Sequence, residues 1–213
     1  MDLGTLRQEY ARESLTESDV ERDPFRQFAK WFAQAQQAGM VEPNAMTLAT
    51  ASRDGKPSAR MVLLKGFDAD GFTFYTDYRS RKGDDLVKNS RAALCFWWDA
   101  LQRQVRIEGR VKKVAAEESA AYFASRPHGS KVGAWASHQS SGLGSRDALE
   151  KVVAQLSEKY PEGSDVPLPP HWGGFRVAPD VIEFWQGRPS RLHDRIVYTR
   201  LRDIGWNISR LSP

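Results

Sequence analysis

The spacing of hydrophobic residues changes along the chain, and each spacing predicts a different element. Phe25, Phe28 and Phe32 recur at helical intervals directly after Asp23 and Pro24. Aspartate caps the free N–H groups of a helix and proline fits its first turn, so these two residues predict a helix start. Beyond residue 44 the hydrophobic period becomes two, which is typical of strands. The pattern therefore predicts one N-terminal helix followed by a β-rich region.

Alternating segments in the rest of the chain predict short β-strands. Asp54-Gly55 and Asp70-Gly71 separate the first of these segments and are typical of tight hairpin turns. The predicted strands cover residues 45–51, 58–65, 72–77, 91–98, 103–114, 196–200 and 205–208. Residues 175–183 are predicted as two strands with a turn between them. Six or more short strands joined by tight turns favour a closed antiparallel barrel.

Four further helices are predicted around this barrel. They cover residues 80–89, 115–125, 130–136 and 145–160, and serine is the predicted N-cap of the first and the last. The first of these helices carries Arg81 and Lys82 in its first turn, where cations oppose the helix dipole unless an anion binds there. This local conflict indicates function more than stability.

The composition fits one soluble domain and narrows its function. The 213 residues are 40% hydrophobic and carry a net charge of +4, a mild excess that suits anionic small molecules better than nucleic acid. Cys95 is the single cysteine, which excludes an internal disulfide and a cysteine-based zinc site. The four histidines are scattered, so we expect no metal site. Without a transmembrane-length apolar run or a signal peptide, we expect a cytoplasmic protein that binds neither membrane nor nucleic acid.

Two groups of polar residues are candidates for anion binding. In a strand, Arg191, His193 and Arg195 would share one face, and an imidazole between two cations is poor core material. The alternative is an exposed polar edge strand. Tyr122 and Arg126 would share a helical face, and they could serve one phosphate together with a nearby serine hydroxyl. The alternative there is an ordinary surface pair.

Short motifs along nearly the whole chain resemble the pyridoxine/pyridoxamine 5'-phosphate oxidases. Their order and number make the resemblance specific, although residues 141–170 match least. The C-terminal Arg210-Leu211-Ser212-Pro213 differs from the family's usual Arg-Leu-Ala-Pro at one residue. The matching motifs are Arg7–Tyr10, Arg60–Lys65, Tyr75-Thr76, Ser80–Lys82, Arg103–Val105, Tyr122–Pro127, Gln139–Ser141, Trp172–Gly174, Glu183–Gly187 and Arg191–Arg195.

The resemblance implies an α+β, mainly β fold: an FMN-binding split antiparallel β-barrel with peripheral helices. It implies a homodimer with FMN at the subunit interface. The implied reaction oxidises pyridoxamine or pyridoxine 5'-phosphate to pyridoxal 5'-phosphate, with dioxygen as acceptor and hydrogen peroxide as by-product. The residues implied to contact FMN are Arg60, Met61, Val62, Leu63, Leu64, Lys65, Tyr75, Thr76, Arg81, Lys82, Gln104, Gln139, Ser140, Trp185 and Arg195.

The resemblance also implies a substrate site and an organisation of the chain. Arg191 and His193 are implied to act on the substrate during catalysis. The implied substrate contacts are Arg7, Gln8, Glu9, Tyr10, Lys65, Tyr122, Arg126, Ser130, Arg191, Leu192 and His193. Residues 1–22 are too polar to pack alone, so we expect a mobile segment that closes over the site as a lid, ahead of one domain at 23–213. The alternative is a tail without function.

Two other classes of protein remain compatible with the sequence. One is a split barrel that carries a flavin, or uses it for different redox chemistry. The implied substrate contacts argue against this class. The other is a nucleic-acid-binding barrel, which the basic charge and the aromatic residues would permit. A yellow purified protein would argue against the second class, and turnover of pyridoxamine 5'-phosphate against the first.

Overall fold

The computed structural model of the chain describes residue 3, residues 9–201 and residues 205–213. Within these residues it contains five α-helices and nine β-strands. The helices are α1 (Pro24–Gln37), α2 (Arg81–Lys88), α3 (Ala116–Ala124), α4 (His128–Ala136) and α5 (Arg146–Lys159). The strands are β1 (Ala45–Ala51), β2 (Pro57–Leu63), β3 (Gly66–Asp68), β4 (Gly71–Asp77), β5 (Arg91–Trp98), β6 (Arg103–Lys113), β7 (Trp172–Gln186), β8 (Asp194–Leu201) and β9 (Gly205–Arg210).

The strands form one curled antiparallel sheet in the order β2-β1-β5-β6-β7-β4-β3, with β8 on β7 and β9 on β8. Strands β2 and β3 lie at opposite ends of this order, yet only Leu64 and Lys65 separate them in the chain. The N–H of Leu64 donates to the carbonyl of Asn44, and the N–H of Lys65 donates to that of Thr73. A covalent crossover, rather than a ladder, therefore links the two edges, which confirms a mainly β, split-barrel fold in place of a fully closed barrel.

Strand β7 is the longest strand and joins three others. It pairs with β6 along its length, with β4 through its first half and with β8 through its second half. The predicted turn within residues 175–183 is wrong, because the strand continues through Pro179. The ladder shifts register between Glu108 and Gly109, opposite Pro179, and this bulge accommodates a residue that has no N–H to donate. A Cβ at Gly109 would lie 2.1 Å from the carbonyl oxygen of Ala178, so glycine is needed there.

Helix α1 packs its aromatic face into the curl of the sheet. It begins as predicted, since the Asp23 side chain accepts a hydrogen bond from the N–H of Phe25. The ring of Phe28 is fully buried and packs against Phe72 and Phe96 at centroid distances of 5.0 and 5.2 Å. Burial of such a ring stabilises the fold by about 1.5–3 kcal/mol. The aromatic stripe of α1 is therefore core, and the functional residues lie elsewhere.

The remaining helices lie outside the sheet, as predicted. Ser80 caps α2 by accepting a hydrogen bond from Gly83, and Ser145 caps α5 by accepting one from Ala148. Helix α3 packs against β7, and α4 packs against α5. No helix within the described residues is long and apolar enough to cross a membrane.

Candidate active site

A cavity of about 570 Å³ opens where β2, β4, α2, α3 and α4 meet, and we call it the central cavity. It gathers residues that lie up to 112 positions apart in the chain, because neighbouring elements in space are distant in sequence. Its lining contains nine of the residues that the resemblance assigns to FMN. It also contains four of the implied substrate contacts, namely Lys65, Tyr122, Arg126 and Ser130. The lining residues are Arg60, Met61, Val62, Leu63, Lys65, Tyr75, Thr76, Lys82, Tyr122, Ser125, Arg126, Pro127, Ser130, Gln139 and Trp172.

One side of the central cavity carries two cations among neutral polar groups. The ammonium of Lys82 lies 2.6 Å from Oε1 of Gln139 and 3.3 Å from the hydroxyl of Thr76. The guanidinium of Arg60 donates to Thr50 at 2.8 Å, while its carboxylate neighbour Asp85 lies 3.9 Å away. Burial lowers the pKa of Lys82, and the charge of Arg60 lowers it further. The electrostatic repulsion between these two cations favours the binding of an anion beside them.

The opposite wall is aromatic and carries a third cation. Tyr75, Tyr122 and Trp172, which we call the aromatic stack, lie nearly parallel, with Tyr75 and Tyr122 3.9 Å apart. The guanidinium of Arg126 lies over Trp172, 4.6 Å from the ring centroid. Among the described residues, the buried Nη1 of Arg126 has no hydrogen-bond partner. Burial lowers the pKa of Arg126, and a buried charged nitrogen without an acceptor is costly, so this wall also favours an anion.

Tyr75 contributes a neutral hydroxyl to the same wall. Burial raises the pKa of this phenol to about 12, and the nearby Glu118 carboxylate adds to the effect. The phenol therefore stays protonated at neutral pH and can donate a hydrogen bond. Tyr122 and Arg126 do not share a helical face as predicted, because α3 ends at Ala124 and Arg126 lies in the link to α4. They nevertheless line the same cavity.

Three of the assigned residues, Gln104, Trp185 and Arg195, lie on the outer face of the sheet together with Trp97. Each residue of this group is the cross-strand partner of the next, from β5 through β6 and β7 to β8. We call the group the cross-strand row, and it consists of Trp97, Gln104, Trp185 and Arg195. Within the described residues, none of the four lines the central cavity. Trp97 is 46% exposed and was not predicted. Strand alternation is the only sequence signal for its exposure, because adjacent residues point to opposite faces and its neighbour Trp98 is buried.

The arginine of this row is held by a buried carboxylate. Nε and Nη2 of Arg195 donate to the two oxygens of Glu183 at 2.8 and 3.1 Å, and Nη1 donates to the carbonyl of Ser212. The Glu183 carboxylate raises the pKa of Arg195, so the guanidinium stays charged. Glu183 also lies 3.5 Å from Arg106. The sequence offered no signal for Glu183 beyond its place beside Phe184 and Trp185 in the motif.

The loop that precedes Arg195 differs from its prediction. Arg191 and His193 do not alternate with Arg195 along a strand, because β8 begins only at Asp194. Ser190 and Arg191 have φ angles of 56° and 61°, and this left-handed backbone after Pro189 cannot continue a ladder. Leu192 is 68% exposed.

His193 nevertheless lies beside the cross-strand row. Its ring is 4.5 Å from Trp185, and Tyr10 packs 5.9 Å from both rings. A Cβ at Gly187 would lie 2.9 Å from the Tyr10 side chain, so glycine lets Tyr10 approach. Burial lowers the pKa of His193, the Arg191 charge lowers it further, and Asp194 opposes both.

Some residues that the resemblance assigns to FMN or the substrate lie neither in the lining of the central cavity nor in the cross-strand row. Leu64 is a core residue, Arg81 and Ser140 are exposed beside cavity residues, and Glu9 is exposed. Arg7 and Gln8 lie outside the described residues. No group of three or more metal-ligating side chains occurs in the described part of the chain. The binding roles of all these residues stay predictions.

Two regions of the chain match models of known protein families. Residues 32–160 match the family described as pyridoxamine 5'-phosphate oxidase. The chain belongs to this family. Residues 172–213 match the C-terminal dimerisation region of pyridoxine 5'-phosphate oxidase, which supports a homodimer. The family comprises oxidoreductases, so the expected enzyme class is supported.

Individual relatives agree with this assignment. The pyridoxine/pyridoxamine 5'-phosphate oxidase of Burkholderia lata is 59% identical over 213 residues, 99% of each chain. That of Trichormus variabilis is 56% identical over 211 residues, which cover 99% of this chain and 98% of the relative. The crystal structure of PhzG from Burkholderia lata, in complex with tetrahydrophenazine-1-carboxylic acid, has a TM-score of 0.89 and 31% identity, covering 95% of this chain and 100% of PhzG.

A more distant structure shows the fold alone. An FMN-binding protein related to pyridoxamine 5'-phosphate oxidase, from Nostoc punctiforme, has a TM-score of 0.70 at 19% identity. The match covers 87% of this chain and 97% of that protein. The chain and that protein therefore share a fold.

Proposed function

We propose that the protein oxidises pyridoxamine 5'-phosphate and pyridoxine 5'-phosphate to pyridoxal 5'-phosphate, using FMN and dioxygen and releasing hydrogen peroxide. When the substrate is the amine, the reaction also consumes water and releases ammonia. The observation that carries the proposal is the buried Nη1 of Arg126 in the wall of the central cavity, which finds no hydrogen-bond partner in the described part of the chain. A phosphate that enters the cavity would supply the missing acceptor. Lys65, Tyr122 and Ser130 line the same cavity and add donors for that phosphate.

The other side of the central cavity suits the phosphate of FMN. A phosphate monoester carries about −1.5 to −2 charges at neutral pH. The charge of Arg60 lies close enough to lower the pKa of Lys82. An anion between the two cations would offset this repulsion and favour the charged ammonium. Thr76 and Gln139 add neutral hydrogen-bonding groups beside Lys82. The residues present therefore fit two anionic ligands, one on each side.

When bound, FMN would supply the redox chemistry, a hydride acceptor that dioxygen can reoxidise. The chain's own residues bind the substrate and orient it. Arg126 and Lys65 hold the substrate phosphate, and Arg191 and His193 hold its pyridine ring. The chain is proposed to act as a homodimer because the cross-strand row does not line the cavity of its own chain. The row of a second protomer completes the cavity, which agrees with the dimerisation region at residues 172–213.

A second candidate is oxidation of a reduced phenazine acid. It is favoured by the similarity to PhzG, whose structure contains tetrahydrophenazine-1-carboxylic acid. Burkholderia lata offers a direct comparison, because the chain is 59% identical to its pyridoxine/pyridoxamine 5'-phosphate oxidase and 31% identical to its PhzG. The cationic wall at Arg126 also suits a phosphate. We therefore favour the phosphorylated vitamers.

The test is an oxygen-consumption assay of the FMN-loaded protein. We expect one pyridoxal 5'-phosphate and one hydrogen peroxide for each dioxygen consumed, and little turnover of unphosphorylated pyridoxamine. Arg126→Ala should raise KM for the phosphorylated substrate, while Arg146→Ala, in an exposed pair with Glu150 on α5, should not. Turnover of tetrahydrophenazine-1-carboxylic acid instead would support the second candidate. A yellow protein that turns over neither substrate would be a flavin carrier and would refute the proposal.

A further inference from the structure

Trp172 is a cavity residue to which the motif comparison assigned no role. It is 8% exposed and lines the central cavity beside Tyr122 and Arg126. Its indole lies directly under the Arg126 guanidinium, at 4.6 Å. A cation above an indole is attracted to the negative face of the ring, and this attraction is stronger in a desolvated site. Trp172 thus supports the guanidinium of Arg126, whose buried Nη1 has no hydrogen-bond acceptor among the described residues.

The sheet register explains why Trp172 can reach this position. Tyr75 on β4 is paired with Gly174 on β7, and Trp172 stands two residues earlier on the same face of β7. A Cβ at Gly174 would lie 2.8 Å from the Tyr75 ring. Glycine therefore lets Tyr75 lie against β7 and stack on Trp172, with ring centroids 5.5 Å apart.

The other face of the arrangement is set by α3. Tyr122 stacks on Tyr75 at 3.9 Å and lies within 5° of parallel to Trp172, at 6.1 Å. Phe123 packs edge-on against Trp172 at 5.1 Å. The indole is therefore held from two sides, and the guanidinium above it has a defined place. Long side chains lose rotamer freedom when they bind, so a guanidinium that is already ordered binds more tightly.

We propose that Trp172 is a positioning residue that fixes Arg126 and thereby sets the preference of the site for a phosphorylated substrate. This inference rests on the proposed function, because it takes Arg126 to bind the substrate phosphate. Trp172 itself acts through Arg126. The motif Trp172-Gly173-Gly174 then has a function: the indole carries the guanidinium, and Gly174 makes room for the stack.

The test compares Trp172→Met, which keeps an apolar side chain but removes the π face, with the conservative Trp172→Phe. For pyridoxamine 5'-phosphate, W172M should raise KM about tenfold and leave kcat within twofold, while W172F should change KM less than threefold. KM for unphosphorylated pyridoxamine should not move. Trp206→Met is the matched control, since Trp206 lies under Arg200 at 4.7 Å, outside the central cavity.

A double-mutant cycle separates positioning from a general structural role. In an Arg126→Ala background, W172M should have almost no further effect on KM, because the residue it positions is gone. A full tenfold effect in that background, or equal losses with both substrates, would overturn the proposal. If W172M fails to fold, the cycle is run with W172F, and its smaller effect on KM should likewise vanish in the R126A background.

Binding of the product keeps this test independent of turnover. Calorimetry on the FMN-loaded protein compares pyridoxal 5'-phosphate with pyridoxal. W172M should weaken the first about tenfold and leave the second unchanged. A wild-type protein without turnover would refute the proposed function, whereas equal weakening of both ligands would refute the role of Trp172.

Discussion

The backbone N–H of Arg188 donates a hydrogen bond of 3.1 Å to Nδ1 of His193. Because a backbone N–H can only donate, Nδ1 must be the unprotonated nitrogen, and neutral His193 carries its proton on Nε2. The lowered pKa of His193 favours that neutral form. At neutral pH the ring therefore offers a hydrogen-bond donor at Nε2 and has no free lone pair there to accept a proton. In the proposed reaction, His193 orients the substrate and is not a general base.

Two substitutions at His193 test this assignment. Glutamine places an amide donor near Nε2, whereas asparagine retains an acceptor only near Nδ1. We expect H193N to have kcat/KM about 2- to 10-fold below that of H193Q, since one hydrogen bond contributes about 0.5–1.5 kcal/mol. Both variants should bind FMN like the wild type. An H193N enzyme at least as active as H193Q would contradict the assigned tautomer.

The same hydrogen bond predicts a pH dependence. Protonation of His193 puts a proton on Nδ1, which breaks the bond from Arg188 and places a second charge beside Arg191. Since the pKa of His193 lies below its ordinary 6.5, activity should be full at neutral pH and fall only as the pH drops below 6.5. The substrate phosphate also titrates in this range, so the measured quantity is the ratio of kcat/KM between wild type and H193Q. A constant ratio from pH 5 to pH 8 would disprove the prediction.

Lys82 is expected to contribute more to FMN affinity than its neighbour Arg81. Lys82 lines the central cavity, whereas Arg81 is exposed at the first turn of α2. Loss of one charge-assisted hydrogen bond costs about 1.5–3 kcal/mol, so Lys82→Ala should weaken FMN binding by roughly 10- to 100-fold. Lys88→Ala, on the same helix, is the control, because Lys88 is exposed and pairs with the exposed Asp84. Flavin fluorescence titration gives the Kd values.

The lowered pKa of Lys82 also predicts how FMN affinity depends on pH. A bound phosphate favours the charged ammonium, so FMN binding should take up a proton at alkaline pH. FMN affinity should therefore fall as the pH rises through the lowered pKa of Lys82 in the free protein. Lys82→Arg should flatten this fall, because arginine keeps its charge. An identical alkaline fall in K82R would assign the titration to another group.

Local features of the fold were predictable from the sequence, and non-local ones were not. The N-caps Asp23, Ser80 and Ser145 depend on residues within three positions and were correct. The turn predicted within residues 175–183 failed, because β7 continues through Pro179 with a bulge, and Gly109 on the neighbouring strand leaves room for the backbone there. Single-strand patterns cannot show what a neighbouring strand accommodates.

The candidate site shows the same limit. Alternation placed Arg191 and His193 on a strand, but positive φ angles at Ser190 and Arg191 stop the ladder, and neither residue type signals such a backbone. Spacing linked only Tyr122 and Arg126 of the central cavity. The other assigned residues of the cavity depended on the family resemblance, since their spacing carries no sign that they meet. Trp172 was visible in a motif, yet its contact with Arg126 depends on the pairing of β4 with β7.

Glu183 is expected to tune the flavin through Arg195. The buried carboxylate holds Arg195 with two hydrogen bonds and cancels part of its charge. Glu183→Gln keeps the shape and removes the negative charge, so Arg195 should stabilise reduced, anionic flavin more strongly. The midpoint potential of bound FMN should rise by roughly 30 mV, the equivalent of about 1.4 kcal/mol for two electrons. Glu150→Gln on α5 is the control, and an unchanged potential in E183Q would separate Arg195 from the flavin.

The N-terminal segment has two parts with different expected roles. Residues 13–21 are fastened to the sheet: Glu13 pairs with the buried Arg103, the N–H of Leu15 donates to Asp194 at 3.0 Å, and Tyr198 donates to the carbonyl of Glu21. Tyr10 instead packs on the rings of Trp185 and His193. We therefore expect the lid function to lie before residue 11 and the anchor after it.

Two truncations separate these parts. A chain that begins at Ala11 loses Tyr10 and keeps the anchor, so kcat/KM should fall while Tm and FMN affinity stay unchanged. A chain that begins at Asp23 also deprives buried Arg103 of its carboxylate partner, at a cost of about 1–3 kcal/mol. Its Tm should drop by roughly 5 °C. In the full-length protein, added pyridoxal 5'-phosphate should protect the segment from proteolysis. Wild-type kcat/KM in both truncated proteins would show that the segment anchors the fold and does not close over the site.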